Sequence, residues 1–241
     1  MNREWIDAEG LDKILELLKL FPKIEVTWVL SHLHSADSIS DYYLKDQINN
    51  FKDMYYKVIN SWHTPLWRHI GNSAWLLKIE DDFFNSYRPW LALYGYNPLD
   101  PQDPKFKLWE KLKPALSITS TITAVHRINY WDAVSYNATY TANENTKNAT
   151  IPFGYAEWLP RSTSNKLLFK VRKNYLRQVW TICMNMCCCL VDWSVQAGEE
   201  VELISDDPKS KNSLKNLAEQ SGMIVYEILV KFDKSIRREI D

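Results

Sequence analysis

Thirteen tyrosines make proton transfer the first chemistry to consider in this sequence. A tyrosine held on a rigid strand beside a cation can serve as a general acid or base. A strand tyrosine is also a common core or interface residue, so the count alone leaves both roles open. The GxGxxG and P-loop motifs, the HExxH zinc motif and the GxSxG nucleophile motif are absent. Nucleotide binding by a glycine-rich loop, zincin chemistry and serine-hydrolase chemistry therefore have no support in the sequence.

The four cysteines form a single cluster, at Cys183 and at residues 187–189. One alternative is a metal site, but on a strand Cys188 would point away from the other two, and no second ligand pair lies elsewhere. We therefore predict small buried hydrophobic residues and no metal site. A cluster of this kind cannot join distant loops by disulfides, which fits a reducing compartment.

Composition places the chain among ordinary globular proteins. Of its 241 residues 46% are hydrophobic and 24% are charged, with 29 basic against 30 acidic side chains. This balance excludes a disordered chain and a polybasic arm for nucleic acid. No apolar run reaches the roughly 18 residues of a spanning helix, and residues 1–9 are charged, unlike a signal peptide. We predict a cytoplasmic protein that binds neither nucleic acid nor membrane.

Two regions differ in their hydrophobic periodicity. Residues 1–113 alternate helical patterns with short apolar runs, which predicts a parallel sheet or barrel. The helices are expected at residues 11–20 and 40–62, and the strands at residues 24–30, 66–70 and 86–95. A proline-rich break at residues 97–104 precedes a change of pattern.

Residues 114–241 predict a β domain. The expected strands are residues 117–125, 167–171, 179–184 and 200–204, followed by a short helix at 211–220 and a final strand at 223–230. The fold class is thus α/β plus all-β, with domains at 1–113 and 114–241.

Several motifs stand out along the chain. Residues 134–160 contain Ser-Tyr-Asn-Ala-Thr-Tyr-Thr-Ala and Ile-Pro-Phe-Gly-Tyr-Ala-Glu-Trp-Leu-Pro. The other motifs are Met-Asn-Arg at 1–3, Ser-His-Leu-His-Ser-Ala-Asp at 31–37, Asn-Ser-Ala at 72–74, Arg-Pro-Trp-Leu-Ala-Leu-Tyr-Gly at 88–95, Ile-Cys-Met at 182–184 and Ile-Val-Tyr-Glu-Ile-Leu at 224–229. In this order they resemble alanine racemase, a family that uses pyridoxal 5'-phosphate (PLP), and residues 134–160 are similar to its C-terminal β domain. The resemblance implies the last strands of a (β/α)8 barrel followed by a β domain.

The resemblance also implies a cofactor site. Arg88 matches the arginine that hydrogen-bonds the pyridine nitrogen, where a permanent cation keeps that nitrogen unprotonated and favours racemisation. His32 matches a histidine that steadies this arginine. The implied phosphate ligands are the side chains of Ser73 and Tyr226 and the backbone of Trp90 and Leu91.

Substrate chemistry is implied at other positions. Tyr136 matches the catalytic tyrosine, which exchanges the Cα proton on one face of the substrate and is contributed to the neighbouring subunit's site. Arg3 and the backbone of Met184 match groups that bind the substrate carboxylate. The residues implied to line the substrate access corridor are Tyr155, Arg161, Asp37 and Ile224.

The chain departs from the family pattern in one decisive respect. The family's Schiff-base lysine, which is also its second proton-transfer base, lies in a Lys-Ala-Asn-Ala-Tyr-Gly-type motif that this sequence lacks. Residues 1–113 are also too short for a barrel of about 250 residues. We expect a fragment, inactive alone, of a homodimeric racemase that interconverts L- and D-alanine for peptidoglycan. The alternatives are a non-catalytic remnant or dimerisation module without cofactor, and a serine or broad-specificity racemase.

Smaller departures fall at three further positions: Asn185 and Glu157 replace the usual aspartates, and Thr181 replaces a common arginine.

Glycine and tryptophan have abnormal counts, six and eleven. Six glycines are about a third of the usual frequency of roughly 7%. Tryptophan stands where the resembling motifs carry glycine, at Trp5, Trp28, Trp75, Trp90, Trp131, Trp158 and Trp180. Either the gene has drifted, or UGA means glycine in the native host and was translated here as tryptophan. The uniform replacement favours the second explanation.

Overall fold

The computed structural model describes residues 6–134 and 136–240, which form two compact units that meet in the sequence between Leu112 and Lys113. Arg3 and Trp5 lie outside the described residues. The first unit alternates helices with short strands: α1 (Ala8–Leu18), β1 (Trp28–Leu30), α2 (Tyr42–Asn60), β2 (Trp67–His69) and α3 (Ser73–Lys78). Two 3-10 helices follow, at Leu91–Tyr94 and Phe106–Trp109.

A parallel sheet organises the first unit. Strands β1 and β2 pair with Val29 opposite Arg68, and a parallel bridge between Gly71 and Tyr87 follows β2. Helix α2 buries one face against the core through Leu44, Phe51, Tyr55 and Val58, whose spacing is that of an amphipathic helix. The predicted strand at residues 86–95 is wrong beyond this bridge, because Pro89 offers no N–H to a sheet ladder and residues 91–94 wind into a 3-10 helix.

A buried ion cluster fastens the end of α3. Lys78 lies 2.9 Å from an oxygen of Asp41 and 3.0 Å from one of Asp103, and its Nζ donates to the Ser38 carbonyl at 2.7 Å. Burial alone would lower the pKa of Lys78, but the two carboxylates raise it. Burial alone would raise the pKa of Asp103, but the Lys105 N–H and Lys78 lower it. Both groups are therefore charged in the folded unit.

The second unit is a curled antiparallel sheet. Its strands are β3 (Ile118–Thr121), β4 (Ala124–Ile128), β5 (Ala133–Val134), β6 (Tyr140–Thr141), β7 (Thr146–Ile151), β8 (Leu168–Val171), β9 (Asn174–Val179), β10 (Cys187–Val191) and β11 (Glu200–Ile204). Seven of them lie in the order β3-β11-β8-β9-β10-β7-β4, and β5 and β6 form a separate hairpin. The two edge strands, β3 and β4, are consecutive in the chain and separated only by Ile122 and Thr123. The sheet must therefore curl round on itself.

Two strand predictions in this unit are wrong in their bounds. Residues 117–125 form parts of two strands, because Ile122 donates to Glu199 and Thr123 donates to Thr150, on different neighbours. Residues 179–184 are not one strand: β9 ends at Val179, and Trp180 has a φ of 56°, which extended backbone cannot accommodate.

The chain ends in helices rather than in the predicted strand at residues 223–230. Helix α4 (Leu214–Ser221) stops at Gly222, which has a φ of 72°, and α5 (Val225–Lys231) follows. Tyr226 therefore lies in the first turn of a helix. A short apolar run fits either a strand or a helix; here the helix buries Ile228 completely and needs no sheet edge as a partner.

Three of the four cysteines are buried as predicted. Cys187, Cys188 and Cys189 lie in β10 and are buried, and Cys183 is half-buried. Burial raises the pKa of Cys188 to about 11 and that of Cys189 to about 12. Among the described residues, no group of histidine, cysteine and carboxylate side chains could hold a metal ion. Within the same residues, no helix combines the length and apolar character needed to span a bilayer.

Lys78→Met should lower the free energy of unfolding by about 3–5 kcal/mol, because it leaves a buried carboxylate at Asp103 without its counter-ion. The matched control is Lys13→Met, which breaks an exposed pair with Glu9 of 2.7 Å and should cost less than about 0.5 kcal/mol. Urea denaturation of both variants measures the difference. Equal losses would contradict the structural role of the buried cluster.

Candidate functional site

Arg88 forms hydrogen bonds with residues at the carboxyl ends of the parallel strands. Its backbone N–H donates to the Gly71 carbonyl at 2.9 Å, just after the bridge at Tyr87. Its Nη2 donates to the Ser31 carbonyl at 2.9 Å and to His32 Nδ1 at 2.8 Å, directly after β1. Its Nη1 bonds Nδ1 of His69, the last residue of β2. One guanidinium thus joins three successive segments at the sheet end where such folds place active sites.

Both histidines must be neutral acceptors in this arrangement. Arginine has donors only, so each Nδ1 accepts and each ring carries its proton on Nε2. His69 is 3% exposed, and burial, with the charge of Arg88, lowers its pKa. Burial also lowers the pKa of Arg88, which nevertheless stays charged. The result is a half-buried cation held by neutral groups.

His69 is a residue that the sequence reasoning missed. Its position in the sequence could have indicated this role, because His32 follows β1 closely and His69 ends the neighbouring parallel strand β2. Residues at corresponding ends of adjacent parallel strands lie at the same edge of the sheet, but their pairing with one arginine depends on the register.

Ser73 organises the segment that follows Arg88. Its Oγ accepts the Trp90 N–H at 2.8 Å and the Ala92 N–H at 3.3 Å. A hydroxyl that accepts two amides still has its own proton to donate. Asn72 caps α3 by accepting the Trp75 N–H at 3.1 Å. The Leu91 N–H has no acceptor among residues 6–134 and 136–240. The structure thus brings Ser73, Trp90 and Leu91 together.

In the second unit, Tyr155 and Met184 lie on two adjoining loops. The Tyr155 N–H donates to the Cys183 carbonyl at 3.0 Å, and the Ala156 N–H donates to the Met184 carbonyl at 2.8 Å. Gly154 permits this approach, because a Cβ there would lie 2.3 Å from both carbonyl oxygens. The Met184 N–H finds no acceptor within the described parts of the chain.

Two of the departures from the family pattern face each other in these loops. Glu157 accepts the Gly154 N–H at 2.7 Å and the Asn185 amide at 3.2 Å. An amide donor opposite a carboxylate avoids the repulsion of two like charges at this place. Thr181, the third departure, is buried.

The remaining candidates lie on separate elements. Tyr136 stands on the turn of the β5–β6 hairpin and is 70% exposed, whereas Tyr226 is 37% exposed on α5. The access-corridor candidates Asp37, Arg161 and Ile224 are also exposed.

Comparison with known proteins gives consistent matches. The family model "Alanine racemase, C-terminal domain" matches residues 115–240, and "Alanine racemase, N-terminal domain" matches residues 1–98. The alanine racemase of Lactobacillus delbrueckii subsp. bulgaricus is 34% identical over 98% of this chain and 62% of its own length. That of Clostridium perfringens is 30% identical over 96% of this chain and 60% of its own length. The chain thus spans about 60% of the relatives' length.

Solved structures agree with these matches. Alanine racemase from Bacillus anthracis with bound L-Ala-P has a TM-score of 0.86 and 28% identity, over 97% of this chain and 60% of that one. The Bartonella henselae enzyme with covalently bound pyridoxal phosphate has a TM-score of 0.82 and 25% identity, over 100% of this chain and 64% of that one. Since the C-terminal family model alone matches more than half of its residues, this chain belongs to the alanine racemase family.

Proposed function

We propose that this chain forms part of a cytoplasmic, homodimeric, PLP-dependent racemase that interconverts L- and D-alanine for peptidoglycan synthesis. The observation that carries the proposal is Arg88, a half-buried cation between two neutral imidazoles at the carboxyl ends of parallel strands. PLP, when bound, supplies the electron withdrawal that makes the substrate Cα proton acidic. The relatives carry the name alanine racemase, and the Bartonella structure contains covalently bound PLP.

The described residues fit such a cofactor. Both terminal nitrogens of Arg88 are engaged by Ser31, His32 and His69, and its Nε–H has no acceptor among the described residues. We assign that Nε–H to the pyridine nitrogen, where a donor that keeps its own proton leaves the nitrogen unprotonated. For the phosphate we assign the Ser73 hydroxyl and the Leu91 N–H of the first unit; Tyr226, in the second unit, is a phosphate ligand that the resemblance implies. The Trp90 N–H bonds Ser73 instead and would act through it.

His32 and His69 are positioning residues in this proposal. A carboxylate beside Arg88 would neutralise its charge, whereas a neutral ring nitrogen fixes the guanidinium and leaves the charge in place. The lowered pKa of His69 keeps that ring neutral.

Tyr136 is the catalytic base that we assign on one face of the substrate. Its exposure on a hairpin turn supports a role in a neighbouring subunit's site. Its phenolate takes the Cα proton and its hydroxyl returns one on the same face, while its ring packs against the substrate. The Met184 N–H holds the substrate carboxylate, and Tyr155, Arg161 and Ile224 line the access corridor in the second unit. Asp37, in the first unit, is a corridor residue that the resemblance implies. Arg3, the other carboxylate ligand in this proposal, lies outside the described residues.

A second candidate is a non-catalytic module. The observation in its favour is the absence of a Lys-Ala-Asn-Ala-Tyr-Gly-type motif from the 241 residues. In our proposal a lysine supplied by a further segment serves the other face, and this chain alone has no racemase activity.

The lysine requirement predicts that this chain, mixed with PLP, shows no visible absorbance of lysine-bound cofactor. Fusion to the preceding segment of the Lactobacillus delbrueckii enzyme should restore that band and alanine racemisation. A lysine–PLP adduct mapped to this chain alone would contradict the lysine assignment. A folded fusion that binds no PLP would favour the non-catalytic module.

In the active fusion, Tyr136→Phe should abolish solvent-deuterium exchange at Cα on one substrate face and retain PLP binding, since only the hydroxyl is removed. Tyr130→Phe is the matched control, because Tyr130 is another exposed tyrosine near the same hairpin. Deuterium incorporation from each enantiomer, followed by NMR, measures the effect. Unchanged exchange in the Tyr136 variant would refute its role.

His69 predicts a pH dependence of stability that can be measured without cofactor. Its folded pKa is lowered, so below the ordinary value of 6.5 the unfolded chain binds a proton that the folded chain does not. The stabilisation is complete above pH 6.5 and declines as the pH falls through the window below it. His69→Asn, which keeps an acceptor, should remove this part of the decline.

Urea unfolding at pH 8 and at pH 5.5 measures the His69 effect. The control is His126→Asn, the same substitution at an exposed histidine. In the active fusion His69→Leu should lower kcat, and His69→Asn should restore most of it. Identical pH slopes in the wild type and His69→Asn would contradict a neutral, buried His69.

A further inference from the structure

Four tryptophans have a backbone conformation that bulky residues rarely adopt. Trp62, Trp131, Trp158 and Trp180 have φ values of 68°, 69°, 77° and 56°. In this left-handed region a Cβ crowds the backbone, and glycine is the usual occupant. Of the eight described non-glycine residues with positive φ, four are tryptophan, although tryptophan makes up only eleven of the 241 residues. Tryptophan therefore concentrates at positions that favour glycine.

The local hydrogen bonds at Trp62 match those of true glycines. Gly95 and Gly222 each end a helical segment with positive φ, and their N–H groups donate to the carbonyl three residues earlier. Trp62 follows the end of α2 and also has a positive φ, and its N–H donates to the Ile59 carbonyl at 3.1 Å. Trp158 does the same toward Tyr155, also at 3.1 Å. Helix ends of this kind commonly carry glycine.

Side-chain burial does not explain Trp62 and Trp131, whereas Trp180 is buried in a hydrophobic cluster. Trp62 is 95% exposed and Trp131 is 70% exposed, so little burial of the indole offsets the backbone strain. Trp75 shows a related conflict in the core: its indole is fully buried, and Nε1 has no acceptor among the described residues. A buried donor without a partner is destabilising.

We propose that residues 62, 131, 158 and 180 are glycine in the functional protein, encoded by UGA codons that the source organism reads as glycine. Trp62 is decisive, because it lies outside every motif of the family resemblance, so the backbone alone identifies it. The proposal does not depend on the enzymatic activity.

Comparing an alanine variant with a glycine variant measures the backbone strain separately from the effect of the indole. Trp62→Ala removes the indole but keeps the Cβ, whereas Trp62→Gly removes both. At a positive φ the glycine variant should melt about 2–4 °C above the alanine variant. At Trp131 the glycine variant should likewise melt above the alanine variant.

Trp193 is the matched control, because it is also exposed but does not have a positive φ. At Trp193 the alanine variant should melt above the glycine variant, since glycine there only adds conformational freedom to the unfolded chain. Thermal unfolding by circular dichroism measures all six variants. Equal melting temperatures within the pairs at residues 62 and 131, or a more stable alanine variant, would overturn the proposal.

The decoding itself is tested in the source organism. We expect peptide mass spectrometry of the native protein to find glycine at residues 62, 131, 158 and 180, and gene sequencing to find UGA at each. Tryptophan at residue 62 of the native protein would overturn the proposal, whatever the melting temperatures show.

Discussion

The charge on Arg88 is the constraint on which the organisation of residues 1–112 depends. A guanidinium offers only donors, so a half-buried one needs acceptors aimed at it from several directions. The Ser31 carbonyl, His32 and His69 supply them, and each is placed by a short parallel strand. A slip of one residue in the pairing of β1 with β2 would turn His69 to the opposite face and remove one of these acceptors.

Two cations of this unit, one buried and one half-buried, differ in how their charge is compensated. Lys78 is paired with Asp41 and Asp103, so its charge is compensated and it ties α3 to its surroundings. Arg88 has no carboxylate partner among the described residues and is held by neutral acceptors. A compensated charge contributes to structure, whereas an uncompensated one remains available to a ligand. This contrast makes Arg88, rather than Lys78, the candidate for function.

In the second unit a sheet supports irregular loops. The chain passes from one edge strand of the sheet, β3, to the other, β4, through only two residues, so the sheet curls. The loops carrying Tyr155 and Met184 then meet at Gly154, where only a residue without a Cβ allows the backbones to touch. Glu157 and Asn185 add a side-chain bond across the same junction.

The local sequence determined much of this protein. The resemblance implied the contact between Arg88 and His32 and named Ser73 and Trp90 as separate phosphate ligands. Amphipathic periodicity located α1, α2 and α4, because that pattern lies within a few turns of chain. Only the tertiary structure decided that His69 also bonds Arg88, that Tyr226 lies in a helix, and that Trp62 has a positive φ. The physical reason is that strand register, the availability of a sheet edge and the burial of Ile228 depend on residues far apart in the chain.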